Sequence, residues 1–397
     1  MNSETEILQL DKTQSYPPTT GAETRSWKTA EKLDQHGTLW RVSPWDGHTQ
    51  LPETIRLIDL RSPVVTSKAI RNHAWYGGFT IQTRHPVQRL ITRYVVSRVS
   101  NADADFDIVV SEAPELVDAA RRLASIHDAQ LVLNKHNCYY DFLDQYLRDK
   151  HLPLPVRERA VNNLYEHEQQ GISDADVIVF QSEDDRDRFD IPSATPVRVI
   201  PNGTNYEELQ QEGNPDQLAR DLGIPDDQQV CLFVGSFDYE PNHAAARFVI
   251  EELSPVFPEM AFLLVGRNPP RSTAPNVYAP GYVTDLIDAL RLADIALCPL
   301  PRGSGTKLKM LDYFAAGLPV VTTSVGTQGL PIRDGEHALV RDEPTAMKGA
   351  IRELARDEGW RKRLAQGGHS LGEQFAWSRL LRGYDELLTD LSTNNNE

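Results

Sequence analysis

The chain has 397 residues, with 41 Lys and Arg against 57 Asp and Glu and a formal net charge of −16. That length exceeds one hydrophobic core and predicts two domains, and the negative balance disfavours nucleic acid as a general partner. No apolar run approaches the ~20 residues of a membrane span, and Met1-Asn2-Ser3-Glu4-Thr5-Glu6 is too polar for a secretory signal, so a cytoplasmic location is expected.

Ile7-Leu8-Gln9-Leu10 predicts a short strand, and Tyr16 to Glu23, with Gly21, leads into a helix through Leu33 that carries Trp27, Ala30 and Leu33 on one face. Thr38 to Val42 and Ile55 to Leu60 are the next strands. From Arg61 to Ala102 there is no acidic residue, against Arg61, Lys68, Arg71, Arg84, Arg89, Arg93 and Arg98, a local reversal in an acidic chain. Val87 to Val99 has helical spacing, with Leu90, Ile91, Tyr94 and Val95 on one side and Arg89 and Arg93 on the other. With Trp75, Tyr76 and Phe79 just before it, the segment is a candidate patch for an anionic membrane or a phosphate-bearing acceptor, or simply a packed helix with a solvated basic face.

Phe106 to Glu112 reads as a strand followed by the helix Glu115 to Ile126. Gln130 to Leu133 then reads as a strand that runs into Asn134-Lys135-His136-Asn137. A His just beyond a buried strand lies where open α/β sheets bind ligands. Asp174-Ala175-Asp176 leads into the strand Val177 to Phe180, and Asp103-Ala104-Asp105 lies in a polar loop. Neither pair reads as a metal site. The three cysteines, Cys138, Cys231 and Cys298, are scattered in or beside apolar runs and read as small buried side chains of a reducing compartment. The acidic balance fits a salt-rich cell interior, as in a halophile, or an ordinary acidic protein.

The second half repeats the βα alternation of a parallel sheet with helices on both faces. Val230 to Val234 ends in Gly235-Ser236 and precedes a helix from Ala244 to Glu252. Ala261 to Val265 ends in Gly266-Arg267, and Val277 to Val283 contains Gly281-Tyr282-Val283. The strand Ile295 to Cys298 opens Pro299-Leu300-Pro301-Arg302-Gly303-Ser304-Gly305-Thr306-Lys307-Leu308-Lys309-Met310-Leu311-Asp312, a Gly-rich turn into a short helix. Gly303 and Gly305 let the backbone approach a ligand, Thr306 is a candidate N-cap, and a helix N-terminus with Lys307 and Lys309 suits a diphosphate. Asp312, one turn on, can accept from ribose hydroxyls, as acidic residues do in dinucleotide folds. A P-loop fits less well, because Lys307 is followed by Leu308 and not by Ser or Thr.

Gly-Ser-Gly-Thr-Lys-Leu-Lys-Met-Leu-Asp-Tyr-Phe-Ala-Ala-Gly-Leu-Pro-Val-Val, from Gly303 to Val321, resembles the nucleotide-sugar motif of GT-B glycosyltransferases of family 4. Ala175-Asp176-x-Val-x-x-x-Ser182-Glu183 and the turn Pro201-Asn202-Gly203-Thr204-Asn205 also resemble that family. The resemblance implies an α/β fold of two Rossmann-like, doubly wound parallel-sheet domains facing across a cleft. The boundaries would be 1–200 for an acceptor-side domain, 201–375 for a nucleotide-sugar domain and 376–397 for a helix returning to the first domain, with Phe375-Ala376-Trp377 opening one helix to Leu391. It further implies a retaining transfer from a nucleotide-diphosphate sugar to a glycan, lipid-linked or other acceptor, with no metal and no cofactor beyond that donor. His136 would contact the donor sugar beside the reacting centre. Lys307 and Ser304 would share the catalytic site, and Gly21 and Asn137 would lie on the acceptor side. Gly235, Ser236, Gly266, Arg267, Gly303, Gly305, Thr306, Lys309 and Asp312 would hold the nucleotide sugar, with Tyr282 and Val283 flanking the base.

Two departures from the family pattern stand out. Where many members carry Arg and Lys after the first strand of the second domain, this chain has Ser236 and then Glu240-Pro241-Asn242. Where many have Glu-x7-Glu, it has Ser304 and Asp312. Lys307, Lys309 and Arg267 are then the expected compensating cations. A nucleotide-sugar epimerase of the same fold and an inactive binding scaffold remain as alternatives.

Overall fold

Buried on both faces, the strands of a parallel sheet are written as near-continuous apolar runs, and here such runs assemble into two sheets. The computed structural model describes residues 5–12, 16, 18, 21–43, 51–60, 86–149, 151–303 and 305–394. Met1–Pro201 with Leu381–Glu397 forms one unit and Asn202–Leu380 the other. The segment with Trp75, Tyr76 and Phe79, and Ser304, lie outside the described residues.

In the first unit the strands are β1 (Glu6–Leu10), β2 (Thr38–Ser43), β3 (Arg56–Asp59), β4 (Ile108–Ser111), β5 (Gln130–Asn134), β6 (Val177–Phe180) and β7 (Val197–Val199). They pair in parallel in the order β3-β2-β1-β4-β5-β6-β7. Successive side chains of a strand point to opposite faces, and the core divides accordingly. Ile7, Leu39, Ile108, Val110 and Val132 pack with Trp27, Ala30 and Leu33 of helix α1 (Gly21–Leu33) and with Leu387, Leu388 and Leu391 of the C-terminal helix. Leu8, Leu10, Val42, Val109, Leu131 and Leu133 form the other layer. Helix α2 (Pro86–Val99) and helix α3 (Val117–His127) cover that second face, with Val95 and Val99 buried.

Two expectations are corrected here. Leu90 is 58% exposed, because at ~100° per residue it lies roughly 140° around the helix from buried Val95. Gly21 is the exposed first residue of α1, not part of an open loop.

The second unit contains β8 (Val230–Val234), β9 (Ala261–Val265), β10 (Val277–Gly281), β11 (Ile295–Cys298), β12 (Val320–Thr322) and β13 (Leu339–Val340), in the parallel order β10-β9-β8-β11-β12-β13. Counted within the unit this is the 3-2-1-4-5-6 order of doubly wound sheets, whose direction reverses between the first and fourth strands. The helix after β8 begins at Glu240, not Ala244: α4 (Glu240–Phe248) starts with Pro241 in its first turn, where a missing N–H is tolerated. Helix α5 (Leu308–Ala315) follows β11 and packs on α6 (Glu358–Gln374).

The predicted single helix from Phe375 is broken. A short turn at Trp377–Leu380 belongs to the second unit, and α7 (Arg382–Asn394) belongs to the first. Thr204 explains the break: its N–H donates to Phe375 O (2.9 Å) and its carbonyl accepts from Trp377 N (3.0 Å), so a short parallel bridge stands where a helix would need those groups.

Helix α6 approaches α5 closely because it carries glycines on the contact. A Cβ added at Gly372 would lie 2.7 Å from Ala315 N and 2.9 Å from Phe314 C. The neighbours are backbone atoms and have little room to give. Gly372→Ala gains up to ~1 kcal/mol of helix propensity but loses about 1 to 3 kcal/mol by overpacking. A lower urea midpoint than wild type is expected, and an unchanged or higher one would show that the two helices can part at little cost.

Candidate functional site

The reversal between β8 and β11 leaves a crevice at their carboxyl ends, and the backbone there is nearly bare. Gly235 ends β8 and Gly266 ends β9 with a φ of 136°. A Cβ at Gly266 would fall 2.0 Å from Gly235 O, and one at Gly235 would fall 2.8 Å from Asn242 Nδ2 and 2.9 Å from Lys309 Nζ. The two glycines are therefore required by close approach. Lys309 reaches back from the first turn of α5, donates to Asn242 Oδ1 (2.7 Å) and lies over the Phe233 ring at 4.4 Å. Asn242 in turn donates to Ser236 O (2.9 Å). Tyr313 Oη accepts from Val234 N (2.7 Å), so α5 is clamped to the end of β8 at two points.

Thr306 is not the N-cap. Helix α5 starts at Leu308, Lys307 occupies the cap position without a side-chain cap bond, and Thr306 faces the backbone of Gly329. The first N–H groups of the helix lack the side-chain acceptor that a Ser or Thr cap supplies. Lys307 Nζ donates to Gly305 O and packs near Gly303, whose φ is 142°. Burial pulls both ammonium groups down to about 8. Asp312 is mostly buried and accepts from Thr204 Oγ1 (2.7 Å). Burial pushes its carboxyl up to about 6, opposed by that hydrogen bond.

The structure thus brings together Gly235, Ser236, Gly266, Gly303, Lys307 and Lys309, with Asp312 one turn further along α5. Arg267 accompanies Gly266 at the β9 end, its carbonyl accepting from Phe237 N (2.9 Å). Tyr282, beyond β10, is 74% exposed, and Val283 packs partly on the core. Glu240, in place of a cation, is paired on the surface with Arg302 of the Gly-rich turn (2.9 Å).

The first unit holds a second polar constellation that the residue-by-residue reading missed. On the face covered by α1, each strand turns from apolar to polar at its carboxyl end: Ile7 to Gln9, Leu39 to Arg41, Val110 to Glu112, Val132 to Asn134. Period-two spacing was the available signal. Arg41, fully buried, bonds Gln9 and Asp11 and stacks 4.0 Å from the Trp27 ring centroid. Burial lowers its pKa, while Asp11 and Glu112 oppose the shift.

His136 is 7% exposed, and its Nε2 lies 2.6 Å from Glu112 Oε2. Lys135 points to the opposite face and pairs with buried Glu168, which also accepts from Tyr140 N (2.9 Å). Asn137 follows His136 and is partly buried. Gly21, on α1, is outside this cluster.

Arg89 and Arg93 are exposed on α2. Asp105 is bonded to His127 (2.7 Å), Asp174 to Arg121 (2.5 Å) and Asp176 to the backbone of Leu131 (2.7 Å). Among the described residues no three His, Cys, Asp or Glu converge as a metal set, and no helix is long and apolar enough to cross a membrane.

Residues 228–357 match the family described as Glycosyl transferases group 1. The D-inositol 3-phosphate glycosyltransferase of Acidothermus cellulolyticus is 31% identical over 224 residues, 50% of this chain and 49% of that one. The phosphatidyl-myo-inositol mannosyltransferase of Mycobacterium leprae is 28% identical over 208 residues, 48% of this chain and 54% of that one. The chain therefore spans about half the length of the curated relatives it matches. Among solved structures, sucrose-phosphate synthase from Thermosynechococcus elongatus superposes with a TM-score of 0.75 at 16% identity, over 98% of this chain and 100% of that one. Anabaena HepE, solved in complex with UDP and glucose, gives 0.69 at 14% identity, over 97% and 100%. At such identities the likeness is one of fold: two Rossmann-like units of the GT-B type.

Asp312 carries a pH signature. An unfolded Asp titrates near ~3.9, and folded Asp312 holds its proton to about 6. Between those values the folded state binds more protons, so stability falls as pH rises from about 4 to about 6 and is level above. Asp312→Asn keeps an oxygen for Thr204 and removes the buried charge. It is expected to be more stable than wild type by about 1 to 3 kcal/mol at pH 7.5, with the difference gone near pH 4. Urea unfolding at the two pH values measures this, and equal stabilities at pH 7.5 would overturn it.

Proposed function

With the second unit a domain of the glycosyl transferases group 1 family on a GT-B fold, we propose that the protein moves a sugar from a nucleotide-diphosphate donor to an acceptor. The observation that carries this reading is the end of β8, where bare backbone at Gly235 and Gly266, Lys309 and the start of α5 meet within one crevice. A diphosphate there would take the first N–H groups of the helix and the charge of Lys307 and Lys309. Burial disfavours both ammonium groups, so an anion beside them would relieve a cost already present. During transfer the same groups would stabilise the charge that develops on the leaving diphosphate, and preorganised stabilisation of that kind is where most of the rate enhancement arises.

Asp312, a carboxylate held charged at neutral pH against its own burial, suits the ribose hydroxyls through the oxygen that Thr204 leaves open. The relatives' names point to inositol-containing and lipid-linked acceptors, and the acceptor here is proposed as a glycan or a lipid-linked or other polyol. Transfer with retention, without a metal, is the mechanism that the resemblance implies. The exposed Arg89 and Arg93, with Leu90 beside them, would bring α2 to an anionic membrane carrying such an acceptor.

A thermal-shift panel of nucleoside diphosphates and their sugars tests the donor class, since a ligand at 100 times its Kd stabilises by ~2.7 kcal/mol. Because Lys307 and Lys309 titrate near 8, a bound diphosphate should hold their protons. Affinity is then expected to fall as pH rises from 7 to 9, with proton uptake in calorimetry at pH 8. Lys309→Met should weaken binding and flatten that dependence. A pH-independent affinity would remove the lysines from the site.

For the membrane, co-sedimentation of wild type and Arg89→Glu/Arg93→Glu with anionic vesicles at low salt is the test. Binding by wild type alone, lost as salt screens the charges, is expected. Equal behaviour of both proteins would make the helix face merely solvated.

A further inference from the structure

Glu112 has a side chain with no exposed surface, and three side-chain nitrogens converge on it. Gln9 Nε2 reaches Oε1 at 2.8 Å, Asn134 Nδ2 reaches Oε2 at 2.8 Å, and His136 Nε2 lies 2.6 Å from the same Oε2. These groups come from the carboxyl ends of β1, β4 and β5. Residues Gln9 and Val110 are in register across β1 and β4, so Glu112, two residues past Val110, stands at the point where the strand order reverses. That is the crevice in which doubly wound sheets bind ligands. A well-packed apolar group would satisfy stability as well as a buried carboxylate or better.

From this geometry we propose that Glu112 is a positioning residue, fixing His136 in one tautomer so that the ring meets a saccharide hydroxyl through Nδ1. An ionised carboxylate only accepts hydrogen bonds, so the hydrogen of the neutral imidazole sits on Nε2 and the lone pair on Nδ1. No partner falls on Nδ1 among the described residues. A neighbouring recess is lined by Glu112, Asn134, Lys135, Tyr139, His167 and Glu168. Asn134 Oδ1 is buried and has no partner among the described residues, while its Nδ2 is held by Glu112 and by Thr29 Oγ1 (3.4 Å). Among the described residues the Nδ1 lone pair therefore has no donor, and a polyol hydroxyl would supply one. This ligand class rests on the sugar-transfer reading; the tautomer does not.

The first test needs no variant. With His136→Gln used to assign the signal, long-range nitrogen–proton spectra of 15N-histidine-labelled wild type should show the Nε2–H form of His136. The Nδ1–H form would overturn the proposal. Glu112→Gln is nearly isosteric, but its amide can turn either an N–H or an oxygen to the ring, so the tautomer bias should be lost. In that variant, kcat for donor hydrolysis should fall about 10- to 100-fold, the scale of a hydrogen bond to a charged group. Affinity for the nucleoside diphosphate should stay within about twofold, and Glu112→Asp should recover part of the rate. A Glu112→Gln enzyme with wild-type kcat would overturn the positioning role, as would equal losses in rate and nucleotide affinity. If wild type shows neither nucleotide binding nor hydrolysis, the sugar-transfer reading fails, and the spectrum alone still decides the tautomer.

Discussion

Both candidate sites follow from one constraint: a parallel strand buried on both faces can present polar groups only where it ends. Within β8 and β9 no side chain is free for chemistry, because Val230 to Phe233 and Ala261 to Val265 are all buried in the core. At Gly235 and Gly266 the strands stop and the backbone itself becomes the surface. In the first unit the buried polar residues Gln9, Arg41, Glu112 and Asn134 lie at or just past the carboxyl ends of their strands. Since all strands run the same way, these endings gather on one edge of each sheet, which is why a fold of this kind concentrates polarity there.

The two sites handle buried charge in opposite ways. In the first unit charge is matched: Arg41 is compensated by Asp11 and Lys135 by Glu168, and Glu112 is met by side-chain nitrogens of Gln9, Asn134 and His136. Breaking such a pair leaves an uncompensated charge and typically costs ~3 to 5 kcal/mol. In the second unit Lys307 donates to Gly305 O, Lys309 to Asn242, and Asp312 accepts from Thr204. Burial moves their pKa values toward neutrality. Groups with shifted values in a crevice are a recognised mark of function, and here the shift has a structural cause in desolvation.

Much of this could be read from the residues. Apolar runs ending in Gly located the strands, and the Gly-rich turn before Lys307 and Lys309 marked the crevice. The resemblance carried from Gly303 to Val321 pointed to the group 1 glycosyltransferases. Less legible were helix ends and faces. Thr306 has the chemistry of an N-cap, yet it lies beside Gly329 and the helix starts one residue later than that cap would require, with Lys307 at the cap position. Leu90 is apolar, yet the side of α2 that packs is set by the sheet beneath Val95 and Val99. The helix from Trp377 looked continuous because its competitor, the Thr204 bridge, comes from more than 170 residues away.

The sequence alone determined two βα-alternating halves, the position of the Gly-rich turn and the chemistry available at Lys309, Asp312 and His136, since periodicity and residue type are local properties. Only the tertiary structure decided what each of those groups faces. Nothing in the order of residues says that Glu112 holds the imidazole of His136, that Thr204 occupies one oxygen of Asp312, or that Lys309 lies beneath Gly235. Those pairings are made between strands and helices distant in the chain. The directions in which their side chains point are set by sheet order and by the packing of helices on it.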